Sequence, residues 1–420
     1  MPSLRILIIS QYFWPENFRI NDLASAFRDR GHEVVVLTGI PNYPDGSFFD
    51  GYGIFSRQRE VWNGIEIIRV PLIPRGSGGG LRLGLNYISF AFFASLLAPL
   101  RCRGSFDAIF VHEPSPITVG LPAVVMRWLK KAPIFFWVLD LWPETLEAAG
   151  GVKSSKVLGL VGRLVRYIYS RCDKVLVQSR RFVEPIRAHG VGAEDILYFP
   201  SWAEAVYRPV PKPKGFNDEF GLSQGFSIMF AGNIGAAQDF ESILSAAEQL
   251  KSSKDIHWLI VGDGRKADWV RKEIELRELN ETVHMLGRHP VERMPEFFAA
   301  AAAMLVSLKA EPIFAMTIPG KVQSYLACGR PVIAMLDGEG SAVVEESGAG
   351  FTCAAGDAEA LAAAARKMAA LSEEERIRMG VEGRRYYEKH FERDMLFSKL
   401  EAWMTNANTG DGITAGDKKG

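Results

Sequence analysis

The sequence predicts an α/β protein with two doubly wound, Rossmann-like parallel-sheet domains and an interdomain cleft. Short apolar, β-branched runs alternate with helical patterns along almost the whole chain. The runs are continuously apolar, which is typical of parallel strands that helices cover on both faces. A length of 420 residues is too great for one ordinary core and suits two domains of typical size.

The predicted strands form two sets, with helical patterns in the intervals between them. In the first half the strands are residues 5–10, 33–38, 65–70, 108–112, 134–139, 174–178 and 196–199. In the second half they are residues 227–231, 257–261, 283–286, 303–307 and 331–335. The clearest helical patterns are residues 20–30, 238–251, 266–279 and 292–302.

Residues 207–225 separate the two sets of strands. This stretch is rich in Pro, Gly and charged residues, and a new apolar strand follows it, which is the composition of a linker. We therefore predict an N-terminal domain at 1–206 and a C-terminal domain that begins at 226. Near the end of the chain, small polar residues at 406–420 predict a disordered tail.

Charge and cysteine content exclude some classes of function. The formal net charge is zero, but residues 1–200 carry 23 Lys and Arg against 17 Asp and Glu, whereas residues 201–420 carry 26 against 32. A basic N-terminal half favours an anionic membrane surface or an anionic acceptor, unless the imbalance has no consequence. No long run of Lys or Arg indicates nucleic-acid binding. The four cysteines lack metal-ligand spacing and fit a reducing compartment.

Two segments bear on localisation. Residues 4–10 have the pattern of a first strand, so we expect no signal peptide and a cytoplasmic protein. Residues 83–100 are the most apolar segment, which is marginal in length for a membrane span. Arg82, Arg101 and Arg103 flank this segment and suit lipid headgroups. It is therefore either a core helix or a helix that contacts the inner membrane from the cytoplasmic face.

The loop after the first strand is aromatic. Ligands of open parallel sheets bind beyond the carboxyl ends of the strands, so such loops are candidate sites. This loop reads QYFWPENFRI and is not the Gly-x-Gly-x-x-Gly loop of a dinucleotide site, which argues against NAD. Asn17 and Arg19 would lie near a helix N-terminus, where anions are stabilised, or else be ordinary polar surface residues.

Two further loops of the first half combine ionisable and aromatic side chains. His112 and Glu113 lie at a strand end, and the prolines that follow would hold them as a rigid polar pair. Asp140, Trp142 and Glu144 follow the next strand, and two carboxylates with an aromatic ring suit the hydroxyls and apolar face of a sugar. The alternatives are a His112 that satisfies a loop carbonyl and an Asp140 that caps a helix.

The loops of the second half are rich in glycine. Gly232 and Gly235 bracket a turn from a strand into a helix, where backbone amides can approach a phosphate. The loop after the next strand contains Gly264, with Arg265 and Lys266 at the start of a helix. A solvated helix terminus is the alternative reading of these two basic residues, so the loops alone are weak evidence.

The stretch SLKAEPIFAMTIPGKVQSYLACGRPV is the most informative part of the chain. Thr317 is predicted to cap a helix whose first turn holds Pro319. The unpaired amides of that helix start, with Lys321 and with Lys309 from the preceding strand end, would form a pyrophosphate site. The alternative is ordinary capping and surface charge.

Missing motifs narrow the reaction further. The chain has no Asp-x-Asp, the usual metal clamp for a nucleotide-linked sugar, so we expect no metal and no cofactor. Diphosphate charge must then be met by amides, helix dipoles and Lys or Arg. The chain also lacks the His-Glu-x-x-His and P-loop motifs. Residues 221–225 match Gly-x-Ser-x-Gly but precede a strand instead of following one, so the match is accidental.

Taken together, these motifs resemble glycosyltransferase family 4, the retaining transferases with a GT-B fold. The likeness runs from residue 5 to residue 403, and QYFWPE, HEP, DLWPE, FPSW, GNIG, VGDG and PGKVQSYLACGRP occur in the expected order. DLWPE and PGKVQSYLACG are most similar to the WbuB-like N-acetyl-L-fucosamine transferase subgroup of O-antigen and capsule assembly.

The resemblance implies a nucleotide held mainly by the C-terminal domain at 226–390 and an acceptor held mainly by the N-terminal domain. It also implies a helix at 391–405 that crosses back to the N-terminal domain. The implied reaction is a metal-independent transfer of a hexosyl or N-acetylaminosugar group in bacterial surface polysaccharide biosynthesis. The donor would be a UDP-sugar, with a GDP-sugar as the alternative, and the acceptor a saccharide or a polyprenyl-diphosphate-linked saccharide. His112 matches the family's cleft histidine, which contacts the donor sugar or the reacting hydroxyl.

Candidate roles follow from the residues and the resemblance together. The candidate catalytic residues are His112, Asp140 and Glu113. The candidate acceptor residues are Asn17, Arg19, Trp142 and Glu144. The candidate diphosphate residues are Lys321, Lys309, Gly232, Asn233, Gly235, Gly264, Arg265, Thr317 and Gly320. The candidate nucleoside contacts are Arg288 and Ser324.

The chain departs from the family's pattern at two motifs. Family members bind the diphosphate with an Arg and a Lys in G-R-L-x-x-x-K-G, where this chain has Asn233 and Gln238. The two Glu positions of E-x(7)-E hold Met316 and Ser324. We therefore expect other basic residues of the second half, above all Lys321, to supply the missing charge.

Three other functions fit parts of the pattern. A sugar-nucleotide epimerase would consume the donor without any acceptor. A non-catalytic sugar-nucleotide-binding subunit would bind the donor without turnover, as the altered motifs allow. An NAD dehydrogenase is disfavoured by the missing glycine fingerprint.

Overall fold

The computed structural model describes residues 2–76, 79–148 and 154–409. The chain forms two compact units, each with its own sheet. The first unit comprises Met1–Pro200 and Asp394–Gly420, and the second comprises Ser201–Arg393. The prediction of two α/β parallel-sheet domains is confirmed.

The first unit contains an eight-stranded sheet with helices on both faces. Its strands are β1 (Arg5–Ser10), β2 (Glu33–Gly39), β3 (Arg59–Trp62), β4 (Ile65–Val70), β5 (Ala108–Glu113), β6 (Ile134–Val138), β7 (Lys174–Val177) and β8 (Ile196–Tyr198). Its helices are α1 (Arg19–Asp29), α2 (Gly80–Arg101), α3 (Gly120–Lys130), α4 (Glu144–Ala148), α5 (Ser155–Tyr169) and α6 (Val183–Ala188). The strand order is β3-β4-β2-β1-β5-β6-β7-β8, and only β3 runs antiparallel to its neighbour.

The centre of this sheet is formed by β1 and β5, which are buried along nearly their whole length. Strands that are covered on both faces need continuously apolar side chains, which explains the sequences RILIIS and AIFVHE up to their polar ends. In the parallel register Ser10 pairs with His112. The pairing therefore places these two polar residues side by side at the carboxyl edge of the sheet.

The second unit has a six-stranded parallel sheet. Its strands are β9 (Phe226–Ala231), β10 (Ile256–Val261), β11 (Val283–Gly287), β12 (Ala303–Ser307), β13 (Val332–Met335) and β14 (Gly350–Cys353), in the order β11-β10-β9-β12-β13-β14. Its helices are α7 (Phe216–Phe220), α8 (Phe240–Gln249), α9 (Ala267–Leu276), α10 (Met294–Ala300), α11 (Pro312–Ala315), α12 (Gly320–Ala327), α13 (Glu339–Glu346), α14 (Ala358–Ala370) and α15 (Glu373–His390). The carboxyl ends of β10, β9 and β12 thus lie next to one another.

The boundary between the units lies before the predicted linker. The division falls after Pro200, so residues 207–225 belong to the second unit and the boundary predicted at 206 is corrected. This stretch contains α7, whose Phe216 is buried against Phe297 at a ring-centroid distance of 5.1 Å. The Pro and Gly content of this stretch is typical of a free linker. Its aromatic residues nevertheless pack on the core of the second unit, which composition alone does not reveal.

The last helix, α16 (Arg393–Thr409), packs on α1 of the first unit. Phe397 contacts Phe27 edge to face, and the Arg30 guanidinium donates to the Glu401 carboxylate at 3.1 Å. Residues 406–409 continue this helix, which corrects the predicted start of the disordered tail. The rest of the predicted tail lies outside the described residues.

The apolar segment predicted at 83–100 is α2, and it is not a core helix. One face carries Asn86, Ser89 and Phe90, which are buried, while Leu81 and Ile88 are 83% and 64% exposed. Only 28% of the helix's most apolar window is buried. The helix is long and apolar enough to cross a membrane by length and composition alone.

Candidate functional site

Glycines of the second unit let two loops approach each other closely at the carboxyl edge of the sheet. Gly264, in the loop after β10, has φ +159, and a Cβ there would lie 2.4 Å from the carbonyl oxygen of Ile234. Gly232, which follows β9, has φ +136 and faces the side chain of Lys321. A side chain at position 264 would collide with backbone, and one at position 232 would collide with the Lys321 side chain. Both positions therefore require glycine.

Lys321 has a buried amine. Its Nζ lies 3.3 Å from the centroid of the Phe230 ring and has no hydrogen-bond partner among the described residues. A Cβ at Gly232 would lie 2.7 Å from Lys321 Cε, so the amine lies directly beneath the exposed glycine turn. Burial lowers the pKa of the Lys321 ammonium to about 7. Contact with an aromatic face compensates a lone cation only in part, so an anion at this turn would be strongly stabilised.

The start of α12 differs from the prediction. Pro319 occupies the N-cap position, and no side chain caps the helix. Thr317, the predicted cap, donates its hydroxyl to the carbonyl of Phe314 at 3.1 Å because it belongs to the turn that follows α11. The prediction that Thr317 caps this helix is wrong, and the amides of Gly320 and its successors remain without a side-chain cap. Ser324 is buried and donates its hydroxyl to the carbonyl of Gly320, so it could contact a nucleoside only as an acceptor, and that role stays a prediction.

Lys309, unlike Lys321, has an exposed side chain. It lines a cavity of about 280 Å³ together with Gly235, Lys266, Trp269 and residues at the start of α8. Lys321 is not among the residues that line the cavity. The structure therefore does not bring the two predicted diphosphate lysines into one cavity.

The remaining predicted residues of the second unit are exposed. Arg265 and Arg288 follow β10 and β11 at the carboxyl edge of the sheet. The Asn233 carboxamide lies against Gly235 and against Gly264 of the neighbouring loop, with Oδ1 2.6 Å from where a Cβ of Gly264 would stand. Gln238 is occupied within the turn, because its Oε1 accepts from the amide of Gly235 at 3.1 Å. Neither position of the altered family motif therefore supplies a positive charge.

In the first unit, His112 is buried at the end of β5. Its Nδ1 lies 2.9 Å from the hydroxyl of Ser10, and that hydroxyl donates its only proton to the carbonyl of Tyr12 at 2.7 Å. Ser10 must therefore accept from Nδ1–H, which leaves Nε2 as an acceptor. Burial lowers the pKa of His112 to about 3, so the ring is neutral at physiological pH. A neutral ring with a free acceptor nitrogen suits a substrate hydroxyl.

Glu113 is buried, and the half-buried Asp140 lies close enough to act on its ionisation. Burial, with the charge of Asp140, raises the pKa of Glu113 well above its ordinary value. Glu113 is fully buried, and its carboxylate accepts from the amide of Asp140 at 3.4 Å. Burial also raises the pKa of Asp140, while the hydroxyl of Thr145 donates to it and opposes the shift. The other carboxylate oxygen of Glu113 is buried without a hydrogen-bond partner among the described residues, and its catalytic role stays a prediction.

The predicted acceptor residues separate into different environments. Asn17 is exposed, and Arg19 begins α1 without a side-chain cap before it. Trp142 is buried beside Tyr87 at a centroid distance of 6.3 Å. Burial alone would raise the pKa of Glu144, but its contact with His189 lowers it below the ordinary value. These residues thus differ in burial and in their contacts, and their joint role as acceptor residues stays a prediction.

Glu16 is a residue that the sequence analysis missed. It is 2% exposed, and one carboxylate oxygen accepts from the amides of Asn42 and Tyr43, both at 2.8 Å. Burial raises the pKa of Glu16 to about 7, against the lowering effect of these amides. The sequence signal for this residue was an acidic side chain inside an aromatic loop. When such a loop is buried, the carboxylate needs hydrogen-bond donors from the surrounding residues.

An aromatic cluster surrounds this loop. Tyr12 stacks on Phe18 at 5.1 Å between centroids, Tyr43 packs on both rings, and Phe18 reaches His112 edge to face. The Arg75 guanidinium donates to the Tyr12 hydroxyl at 2.8 Å. The loop that carries Glu16 is thus packed against the neutral histidine. Among the described residues, no group of three His, Cys, Asp or Glu is arranged to hold a metal ion.

Comparison with known proteins gives relatives in each unit and across the whole chain. The chain is 29% identical over 290 residues to WbjE of Pseudomonas aeruginosa, named as a glycosyltransferase, covering 67% of this chain and 70% of WbjE. It is 26% identical over 340 residues to WcaI of Escherichia coli K12, named as a colanic acid biosynthesis glycosyl transferase, covering 78% of this chain and 82% of WcaI.

Solved structures match the fold of the whole chain. HepE from Anabaena in complex with UDP matches with a TM-score of 0.70 at 15% identity, over 96% of this chain and 100% of HepE. Sucrose-phosphate synthase from Thermosynechococcus elongatus matches with a TM-score of 0.73 at 16% identity, over 97% of this chain and 100% of the synthase. These likenesses confirm the GT-B fold.

Two family matches divide the chain as the two units do. Residues 17–202 match the glycosyl transferase 4-like domain, and residues 225–370 match glycosyl transferases group 1. Together the matches account for most of the chain, with one domain in each unit. The chain belongs to the glycosyltransferases that join a glycosyl transferase 4-like domain to a group 1 domain.

Proposed function

We propose that this enzyme is a retaining glycosyltransferase that moves a sugar from a UDP-sugar to a saccharide or lipid-linked saccharide in bacterial surface polysaccharide biosynthesis. The names of WbjE and WcaI, and the UDP bound to HepE, support this class of donor and product. The observation that carries the proposal is the unpaired Lys321 amine beneath the exposed turn at Gly232. We propose that the donor diphosphate binds there.

The chemistry follows from charge. Breaking the bond between the anomeric carbon and the phosphate leaves negative charge on the departing diphosphate, and a preorganised cation facing it lowers the barrier. Lys321 would gain the counter-ion that it lacks, and the uncapped amides at the start of α12 would add partial positive charge. These groups belong to the protein, so we propose that the reaction needs no metal and no cofactor.

The first unit would hold the acceptor. Neutral His112 would accept a hydrogen bond from a sugar hydroxyl through Nε2, and Asp140 would orient a second hydroxyl. His112 is fixed by Ser10, so its acceptor nitrogen points in one direction before the ligand arrives. An α-linked product from an α-linked donor, read from the anomeric coupling in the proton NMR spectrum, would establish retention.

The decisive experiment is calorimetric titration with UDP as a function of pH. Free Lys321 loses its proton near pH 7, whereas Lys321 paired with a diphosphate keeps it. Above that pH binding must take up a proton, so we expect affinity to fall about tenfold per pH unit between roughly pH 7.5 and 9, where UDP keeps its charge. Lys321→Met should bind weakly and without this pH dependence.

Lys309→Met is the matched control, because it removes an exposed amine from the separate cavity. It should keep the pH dependence of the wild type. Unchanged UDP binding in Lys321→Met would place the diphosphate elsewhere. Titration with GDP in place of UDP tests which base the site prefers. Titration with UDP in the presence of EDTA tests whether binding needs a metal ion. Donor binding without transfer to any acceptor would instead support a non-catalytic subunit, and donor conversion without acceptor would support an epimerase.

A further inference from the structure

Three helices of the first unit present an unusual surface. The helix α2 packs on α3, and α3 contacts α5. The exposed apolar residues of α2 recur every three or four positions and so form one stripe along the helix. They are Leu81, Leu85, Ile88, Phe92, Leu96 and Leu100.

Exposed apolar side chains also occur on the two neighbouring helices. Trp128 of α3 is 79% exposed and Leu160 of α5 is 61% exposed. Among the described residues, eleven large exposed hydrophobic side chains lie on these three helices, whereas the whole second unit has four. A stripe of exposed apolar side chains such as that on α2 marks an interaction site, since scattered single residues do not form a stripe.

Charge on these helices has one sign. The sequences of α2, α3 and α5 contain no Asp or Glu, and they contain two, two and three basic residues respectively. Arg103, Lys131 and Arg171 follow shortly after the three helix ends. A second copy of this face would bring like charges together, so self-association is disfavoured. An anionic partner that also accepts apolar side chains is favoured, and an anionic lipid bilayer has both properties.

The buried face of α2 decides how the helix meets a bilayer. Asn86 accepts from the Gln11 carboxamide at 2.7 Å and donates to the carbonyl of Ile73 at 2.7 Å, while the Ser89 hydroxyl accepts from the amide of Ile73 at 2.9 Å. These bonds hold α2 against the first unit. A helix held along one face presents only its opposite face, so α2 would lie in the interfacial plane and not span the membrane.

We propose that the exposed faces of α2, α3 and α5 form a membrane-docking surface for anionic lipid bilayers. The inference goes beyond the transferase proposal, because it concerns a surface distinct from the glycine turn and from His112. It would stand if Lys321 proved to have no part in donor binding. An enzyme bound to the membrane would encounter lipid-linked acceptors by diffusion within the plane of the bilayer.

The test is sedimentation of the purified full-length chain with vesicles. Vesicles of phosphatidylcholine alone are compared with vesicles that also contain phosphatidylglycerol. We expect binding to the anionic vesicles, weakened by salt, and a reduction of about tenfold or more in partition for the double variant Ile88→Gln and Phe92→Gln. The double variant Arg163→Gln and Arg166→Gln should weaken binding to anionic vesicles only.

Matched controls come from the second unit. Ile377 and Val381 of α15 are also exposed and also four residues apart, so Ile377→Gln with Val381→Gln likewise removes two exposed apolar side chains from another helix. This control should bind like the wild type. For the charge arm, Lys212→Gln with Lys214→Gln should leave binding unchanged. Thermal unfolding of each variant separates lost binding from lost folding.

Trp128 supplies a direct optical signal. The emission of Trp128 is obtained by subtracting the spectrum of Trp128→Phe from that of the wild type. If α3 docks, this emission should shift to the blue when anionic vesicles are added, because the indole leaves water. Equal vesicle binding by the wild type and by Ile88→Gln with Phe92→Gln would overturn the proposal. Light scattering that finds a dimeric wild type and a monomeric double variant would also overturn it, because the face would then be an interface between copies of the chain. UDP titration of the same variants reports on the donor site separately.

Discussion

Both units place ionisable side chains at the carboxyl ends of central strands, but they treat the charges differently. In the first unit His112 is bonded to Ser10, and Glu16 is bonded to the amides of Asn42 and Tyr43. In the second unit the amine of Lys321 is buried without a hydrogen-bond partner among the described residues. His112 and Glu16 thus have hydrogen-bond partners within the first unit, whereas the Lys321 ammonium lacks a counter-ion that a bound anion would supply. The following predictions test that contrast.

The largest expected effect is on the glycine loops. Gly264→Ala should destabilise the protein by roughly 3–5 kcal/mol, because its Cβ would collide with the carbonyl of Ile234 at an unfavourable φ. Gly159→Ala is the control, since nothing lies within 4 Å of its Cβ position in α5 of the first unit. It should be neutral or slightly stabilising, by up to about 1 kcal/mol. Chemical unfolding measures both, and equal effects would contradict the packing argument.

The next effect concerns His112. His112→Ala should lower turnover by about two to three powers of ten if its ring orients the reacting hydroxyl. His112→Asn can still donate to Ser10 in the manner of Nδ1, whereas His112→Gln can present an acceptor near the position of Nε2. Higher activity in the Gln variant than in the Asn variant would identify Nε2 as the functional atom. The reverse order would reduce His112 to a structural role.

Lys321→Met should stabilise the free protein while it impairs UDP binding. The pKa of Lys321 is lowered from 10.5 to about 7, so its ammonium costs the folded state most at and below pH 7, and the cost fades as pH rises toward 10.5. We expect a gain of roughly 1–3 kcal/mol near pH 7 that shrinks in alkali. Thermal unfolding across that pH range measures it, and a loss of stability would show that the cation over Phe230 is favourable in itself.

The smallest effect concerns Glu16. Its folded pKa of about 7 lies above its ordinary 4.5, so the wild type loses stability as pH rises from 4.5 to 7. Glu16→Gln keeps an oxygen for the amides of Asn42 and Tyr43 but does not ionise. Relative to the wild type it should gain roughly 1–2 kcal/mol between pH 5 and 8. A pH-independent difference would show that Glu16 stays charged throughout.

The fold could be predicted because its core strands are buried on both faces. Continuously apolar runs located β1 at Arg5–Ser10 and β2 from Glu33. The sheet edges were missed: β3 is half exposed and antiparallel, and β14 is a four-residue strand of intermediate burial. Neither has the continuous apolar pattern on which the prediction depended. The charged groups were harder still, since a sequence does not reveal that the amine of Lys321 points inward or that Glu144 faces His189.

The amides of Asn42 and Tyr43 bind a carboxylate from a different loop, and this has a consequence for exchanging parts between relatives. A segment spanning 11–18, transplanted alone from an enzyme that lacks an acidic residue at this point, would leave two buried donors with no acceptor. A transplanted 11–18 segment must therefore bring an acceptor for these amides, whereas residues 40–43 can be exchanged alone, because every residue except proline supplies the backbone amide. Chimaeras whose 11–18 segment keeps an acidic residue at this point should be more stable than those whose segment lacks one.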